Sequence, residues 1–387
     1  MNSQVEEMEE IKKWENFPIP SNLMRGIFAY GLEAPSPIQS KAIIPLLNGK
    51  DIIGQAQSGT GKTATFCIGA LNKIDWEVKS SQVMIIAPTR ELAFQITDVI
   101  NNLAHFFPDF SCKTLVGGSP VTADIEDLKK MPKVIVGCPG RICDMFRRKQ
   151  IDGTRIKMLI LDEADEILSK GFIDQILNII EFISNADLQM GIFSATMSDN
   201  IHLLAKQYMK DPITISVKPE SLTLEGIKQF YVPVEDDKMK FDTLLDIYGS
   251  LSVTQSIIYC NSVKRVEELK IALDSENFST TAIHSNMPKD ERNKNFQDFK
   301  TGKSRILIST NVTARGIDIQ QVGVVINFDL SKDIHTYLHR IGRSGRWGRK
   351  GLGINFISRR DIFKIKEIEN YYLTQIDPLP QNFNLLI

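Results

Sequence analysis

Long apolar runs are missing from this sequence. Within its 387 residues no uninterrupted apolar stretch approaches the roughly 18 residues that a spanning helix needs, which excludes a helical membrane protein. Basic residues are missing from the start: Met1 to Glu10 holds four Glu and no Lys or Arg, unlike a secretory signal or transit peptide. Cysteine is sparse. The five present, at 67, 112, 138, 143 and 260, form no CxxC pair, so neither a disulfide framework nor a zinc cluster is expected and the thiols should be reduced. A surplus of either charge is lacking too. With 46 Lys and Arg against 47 Asp and Glu, the net charge is −1, which alone argues against nucleic acid, whose binders usually carry a basic excess. What remains is a soluble intracellular protein, cytoplasmic or nuclear, with no membrane partner and expected to be a monomer. Its 42% hydrophobic content is that of a folded chain, and its length suggests two or three domains of about 100–200 residues each.

Short apolar segments rich in β-branched residues recur along the chain. Asp51-Ile-Ile-Gly, Val83-Met-Ile-Ile-Ala, Lys133-Val-Ile-Val-Gly, Met158-Leu-Ile-Leu and Gly191-Ile-Phe-Ser are separated by longer stretches of helical pattern. Such runs predict parallel strands buried on both faces by crossover helices, an α/β fold. Residues 211 to 236, with three prolines and several hydroxyl side chains, read as extended and suggest a boundary near 215 to 225. The alternation resumes with Ser256-Ile-Ile-Tyr-Cys, Arg305-Ile-Leu-Ile-Ser-Thr, Val324-Val-Ile-Asn and Gly353-Ile-Asn-Phe-Ile. Two α/β lobes are expected. They share no sequence repeat, so any likeness between them would be in topology.

Ala56-Gln57-Ser58-Gly59-Thr60-Gly61-Lys62-Thr63 follows the first strand segment and precedes a helical one. It has the GxxxxGK(S/T) form with Ala in the first position. A Gly-rich turn opening a helix aims backbone N–H groups at an anion, Lys62 can reach β and γ phosphates, and Thr63 can hold Mg²⁺. The second component is Met158-Leu-Ile-Leu-Asp162-Glu163-Ala164-Asp165, an apolar strand ending in acids. There Asp162 can hold a Mg²⁺-bound water and Glu163 can orient and deprotonate an attacking water. Open α/β sheets place their ligands at this end of their strands.

Taken singly, Ala87-Pro88-Thr89-Arg90-Glu91-Leu92-Ala93, Gly117-Gly118, Cys138-Pro-Gly-Arg141 and Ser194-Ala-Thr196 read as turns or helix starts. Their order around the two nucleotide motifs does not. Together with the tetrapeptide Asp162-Glu-Ala-Asp165, they make the chain resemble a DEAD-box RNA helicase from Trp14 to Ile387. Within that family Gln55 to Phe66, Leu222 to Phe230 and His339 to Arg346 are similar to the minimal members related to eukaryotic translation initiation factor 4A. Tyr371 to Asp377 and Ile308-Ser-Thr lean toward paralogues of the exon junction complex or of ribosomal RNA processing.

The resemblance implies two RecA-like doubly wound parallel-sheet lobes. An N-terminal arm with the Q motif would occupy 1–40, an ATP-binding lobe 41–218 and a C-terminal lobe 219–387. ATP with Mg²⁺ would be held by Ser58, Gly59, Thr60, Gly61, Lys62, Thr63 and Asp162. Gln39 would read the adenine edge and Trp14 stack on its ring, unless Trp14 only anchors the arm. From the second lobe Asp318 would reach the ribose, and Arg343 and Arg346 the γ phosphate, adding positive charge where negative charge develops. The alternative for Arg340 to Lys350 is a basic surface patch. Ser194 and Thr196 would bond Asp165 and, with His339, couple nucleotide to RNA. Pro88, Thr89, Arg90, Gly118, Gly140 and Arg141 of the first lobe, with Arg292, Thr310 and Arg315 of the second, would grip the RNA backbone, largely without regard to sequence. Three positions depart from the family: Cys138 replaces the usual Thr, Lys289 the usual Gln and Asn311 the usual Asp.

The implied activity is RNA-stimulated ATP hydrolysis coupled to local duplex unwinding, with an ATP-gated RNA clamp in an exon junction or pre-ribosomal particle as the rival. A protein activator bridging both lobes, such as an initiation-factor scaffold, is expected. The near-neutral charge hides a polarity: up to residue 220 there are 23 basic and 27 acidic side chains, and beyond it 23 and 20. Attraction to phosphate is local, so the net charge is a poor guide to partners.

Overall fold

The computed structural model describes residues 11–56, 60–169, 171–216, 227–250, 255–313, 322–344, 351–372 and 374–380. The chain divides into Met1–Lys218 and Pro219–Ile387, inside the interval where the strand–helix alternation pauses. No described helix is long and apolar enough to cross a membrane, and all five cysteines are free thiols.

The first unit is built on seven strands: β1 (Ile52–Gln55), β2 (Val83–Ile86), β3 (Cys112–Leu115), β4 (Val134–Gly137), β5 (Met158–Asp162), β6 (Gln189–Ser194) and β7 (Ile213–Ser216). They form one sheet in the order β3-β4-β2-β5-β6-β1-β7, with every pairing parallel. Successive residues of a strand point to opposite faces. Met84, Ile86, Leu159, Leu161, Met190 and Ile192 join one core with the helices α6 (Pro139–Arg147), α8 (Ile173–Phe182) and α9 (Asp199–Tyr208). Their strand neighbours Val83, Ile85, Met158 and Ile160 are equally buried, so both faces are covered.

The second unit has β8 (Ile227–Pro233), β9 (Ser256–Tyr259), β10 (Thr280–Ile283), β11 (Ile306–Ser309), β12 (Val324–Asn327), β13 (Gly351–Ile357) and β14 (Asp377–Pro378). The order is β10-β11-β9-β12-β13-β8-β14, again wholly parallel. Counted from its own first strand this is 3-4-2-5-6-1-7, identical to the first unit. The likeness between the halves is therefore topological, without sequence repetition. The stretch read only as extended contains β7 and β8, one in each sheet, with residues 217–226 between them outside the described part.

Candidate nucleotide and RNA site

Strand order decides which motifs meet. In the first unit β6 lies between β1 and β5, with Gln55 opposite Ser194 and Asp162 opposite Phe193. The phosphate loop after β1, the acids ending β5 and Ser194-Ala-Thr196 after β6 thus emerge side by side at the carboxyl edge, adjacent strands being about 4.8 Å apart. The remaining strands β2, β4 and β3 carry Pro88 to Arg90, Gly140 with Arg141, and Gly118 at the same edge. One sheet edge thus holds the glycine-rich loop and the acids on one half, and glycines and helix starts on the other.

Gly61 caps the helix α3 (Lys62–Lys73) in the left-handed region, φ 99°. A Cβ there would lie 2.7 Å from Gln39 Nε2 and 2.8 Å from Ser36 Oγ. Gln39, in α2 (Pro37–Leu47), accepts the Ser36 N–H at 2.7 Å and donates to the Gly61 carbonyl at 3.4 Å. It is buried and braces the loop while keeping one further amide proton and lone pair for a ligand. Lys62 is 5% exposed and its Nζ makes no hydrogen bond among the described residues. Its ion pair with Glu163 Oε1 spans 3.7 Å. A buried ammonium held so loosely suits an anion such as a phosphate. Thr60 and Thr63 flank the turn, whereas Ser58 and Gly59 lie outside the described residues.

Asp162 is buried and accepts the Glu163 N–H at 3.0 Å. Burial, reinforced by the Glu163 carboxylate and opposed by Lys62, raises its pKa above the ordinary carboxylate range. A carboxylate so disfavoured as an anion gains from a cation. The hard oxygens of Asp162 and Thr63 are the donor type that Mg²⁺ takes. Glu163 has φ 50°, a left-handed conformation that for a non-glycine residue is strained and typical of active sites. The turn sets its carboxylate next to Lys62. Asp165 is fixed on three sides: its N–H reaches Ser194 Oγ at 3.3 Å, Oδ1 accepts the Glu166 N–H at 3.0 Å, and Oδ2 accepts the Thr196 hydroxyl at 2.8 Å.

On the other half, Thr89 caps the helix α4 (Arg90–Leu103), its hydroxyl oxygen accepting the Leu92 N–H at 3.3 Å. Arg90 opens that helix beside Pro88. Gly118 is left-handed, φ 82°, and Gly140 sits exposed in the first turn of α6 with open space where a Cβ would be. Bare backbone at a helix start is well suited to phosphate.

Two of these side chains are engaged within the protein. The Arg141 guanidinium bonds the Asp124 carboxylate, Ser119 Oγ at 3.1 Å and the Ser119 carbonyl at 2.9 Å. It braces the glycine turn from within. Trp14, for which stacking on the base and anchoring of the arm were the two expectations, is 1% exposed and packs on Phe17 at 5.5 Å. Stacking on a base requires a freed face, so Trp14 as placed anchors the N-terminal segment.

In the second unit Arg292 sits half-buried in the first turn of α12 (Lys289–Lys300), and Thr310 follows β11. His339 and Arg343 are buried, with Arg343 Nε donating to the His339 carbonyl at 3.2 Å. Arg340 is wholly buried and so belongs to no surface patch. Arg315, Asp318 and Arg346 lie outside the described residues, as does the Lys289 side chain. Sequence reasoning missed Asp124 and the role of Arg340. An Arg at the start of a helix facing an Asp after a glycine pair was the one signal for Asp124.

Residues 36–204 match the family model described as DEAD/DEAH box helicase, and 239–348 match the helicase conserved C-terminal domain. The chain is 47% identical to "ATP-dependent RNA helicase eIF4A" of Scheffersomyces stipitis, covering 97% of this chain and 94% of that one. It is 46% identical to "ATP-dependent RNA helicase FAL1" of the same organism, covering 96% and 92%. Among solved structures, S. cerevisiae Dbp5 bound to RNA and ADP BeF3 superimposes with a TM-score of 0.86 at 35% identity, over 95% of each chain. Two family models in tandem, with 46–47% identity to RNA helicases over nearly the whole chain, carry the conclusion beyond fold alone: the chain belongs to the DEAD/DEAH box helicase family of ATP-hydrolysing enzymes.

Proposed function

We propose that this chain carries out RNA-stimulated ATP hydrolysis coupled to local separation of RNA strands. The observation that carries the reading is the division of one carboxyl edge into a nucleotide half (β1, β6, β5), within which Asp165 is bonded to Ser194 and Thr196, and a backbone-donor half (β2, β4, β3). Gln39 reads the base. Gly61, Lys62 and the loop before them hold the phosphates, and Thr63 with Asp162 would hold Mg²⁺, which supplies positive charge to the β and γ oxygens. Glu163 orients water and takes its proton. Arg343, Arg346 and Asp318 complete the site from the second lobe, with Trp14 near the base once its face is freed.

RNA is bound through its phosphates and 2′-hydroxyls by Pro88, Thr89, Arg90, Gly118, Gly140, Arg292, Thr310 and Arg315, with Arg141 acting through the glycine turn. His339 joins Asp165, Ser194 and Thr196 in coupling. The arm with the Q motif (1–40), the ATP-binding lobe (41–218) and the C-terminal lobe (219–387) are the working parts. A protein activator such as an initiation-factor scaffold belongs to the same reading, and the likeness to S. cerevisiae Dbp5, solved bound to Gle1, supports a protein partner. The similarity to Dbp5 bound to RNA and ADP BeF3 supports RNA and nucleotide as joint ligands.

The test is ATP turnover by the purified chain with and without single-stranded RNA, alongside strand displacement from a short duplex. Turnover should rise with RNA and collapse when Mg²⁺ is chelated. Turnover indifferent to RNA sinks the reading, and long-lived RNA binding with an ATP analogue but no displacement favours the clamp.

A further inference from the structure

Arg340 fixes the orientation of an exposed amide. It lies in α13 (Ile334–Ile341) with no exposed surface. Its Nε and Nη2 both donate to Asn311 Oδ1, at 2.8 and 2.6 Å. Nη1 donates to Asn327 Oδ1 at 3.1 Å and to the Asp329 carbonyl at 2.7 Å, and Nη2 also to Asn261 Oδ1 at 2.8 Å. A guanidinium offers donors only. Asn311 must therefore turn its oxygen inward, because the flipped amide would set N–H against N–H. Its Nδ2 is left facing away from Arg340, and Asn311 is exposed.

The arrangement is costly at Arg340. Every hydrogen-bond acceptor it has among the described residues is neutral. The Asp329 carboxylate is occupied by Lys240 at 3.0 Å, Arg265 at 3.0 Å and the Asn261 N–H at 3.0 Å. Burial pulls the Arg340 pKa down to about 10. An Asp at 311 would supply a counter-ion to the buried cation. It would also turn a second, acceptor-only oxygen outward, negative and repellent to phosphate. Asn inverts that outward group into a donor.

The place matters as much as the group. Asn311 follows Thr310 at the carboxyl edge of β11, and β11 lies between β10 and β9. That is the position which β4, with Gly140 after it, holds in the first sheet. We propose that Asn311 Nδ2 is a phosphate-binding donor of the RNA site, contacting a non-bridging oxygen of the ribonucleotide backbone next to the one met by Thr310. The inference rests on the RNA-helicase reading above and deepens it. Asn rather than Asp at 311 then favours RNA grip at the expense of charge compensation inside the lobe.

The test uses the full chain, a fluorescent single-stranded RNA and a non-hydrolysable ATP analogue, with anisotropy read over a salt series. Asn311→Asp should weaken RNA binding about tenfold at low salt, and the deficit should narrow as salt screens the new charge. Its thermal midpoint should equal or exceed the parent's, since Arg340 gains a counter-ion. A scan of neutral methylphosphonate linkages along the RNA supplies a reading that altered folding would not produce. At one linkage the parent should lose affinity and Asn311→Asp should not. Parent-like RNA affinity in Asn311→Asp, while Arg292→Ala weakens binding, overturns the inference and leaves the RNA face standing. Parent-like affinity in both variants removes the second-lobe RNA face itself, and the inference with it.

Discussion

The Thr196 hydroxyl donates to the Asp165 carboxylate at 2.8 Å, tying the last acid of the tetrapeptide after β5 to the turn after β6. Ser194 Oγ completes the link by accepting the N–H groups of Asp165 at 3.3 Å and of Thr196 at 3.4 Å. The acids that end β5 therefore cannot shift without the segment after β6 registering it.

Replacing Thr196 with Val keeps the shape and removes the hydroxyl. Loss of one such bond to a buried carboxylate should cost roughly 1–3 kcal/mol. Stability by urea titration should fall by that amount, and RNA stimulation of ATP turnover should fall much further than affinity for an ATP analogue. Stimulation equal to the parent's would remove Thr196 from the coupling path.

Glu163→Gln keeps the size of the side chain and removes the proton acceptor. Turnover should drop by about 10²–10⁴-fold, the usual contribution of a positioned general base. Affinity for an ATP analogue should hold or tighten, because Lys62 loses its 3.7 Å carboxylate partner and turns wholly to the phosphates. Single-turnover hydrolysis and analogue titration separate the two effects.

Much of this site was legible in residue order because its chemistry depends on residue type at fixed spacing: Gly61-Lys62-Thr63 after one strand, Asp162-Glu163 after another. The central strands were equally plain, since burial on both faces leaves four consecutive apolar residues, as in Val83–Ile86. The edge strands were not. Cys112-Lys-Thr-Leu and Ile213-Thr-Ile-Ser are only partly buried and so carry polar residues that mimic a loop. The partners of Arg141 and Arg340 were hard to read for another reason. A guanidinium serves a phosphate or an internal acceptor with the same geometry, and only the fold shows that Asp124 and Asn311 stand within reach.

Asp124 is 2% exposed and is shared by Arg141 and by Lys113, whose Nζ lies 3.0 Å from Oδ1. Asp124→Ala leaves two cations with one surviving partner between them, Asp127 on Lys113. Breaking one side of a buried pair costs about 3–5 kcal/mol. The urea midpoint should move accordingly. RNA affinity should also fall, because Ser119 loses its own bond to the carboxylate and the guanidinium that holds the adjoining Gly118 turn loses its counter-ion. If stability drops while RNA affinity, measured well below the unfolding transition, stays at the parent value, the brace does not serve RNA.

Gly61→Ala tests whether the glycine-rich turn and Gln39, proposed to read the base, move as one piece. The left-handed φ of 99° disfavours any L side chain, and the added methyl would stand 2.7 Å from Gln39 Nε2 and 2.8 Å from Ser36 Oγ. Relief requires displacing Gln39, whose Oε1 holds the Ser36 N–H at the start of α2. The substitution should therefore weaken ATP binding through the phosphates and also relax the preference for adenine over guanine nucleotides. Paired titrations with ATP and GTP read both. Weaker binding with unchanged base preference would show that Gln39 stays in place, and the strain would then belong to the backbone at Gly61 alone.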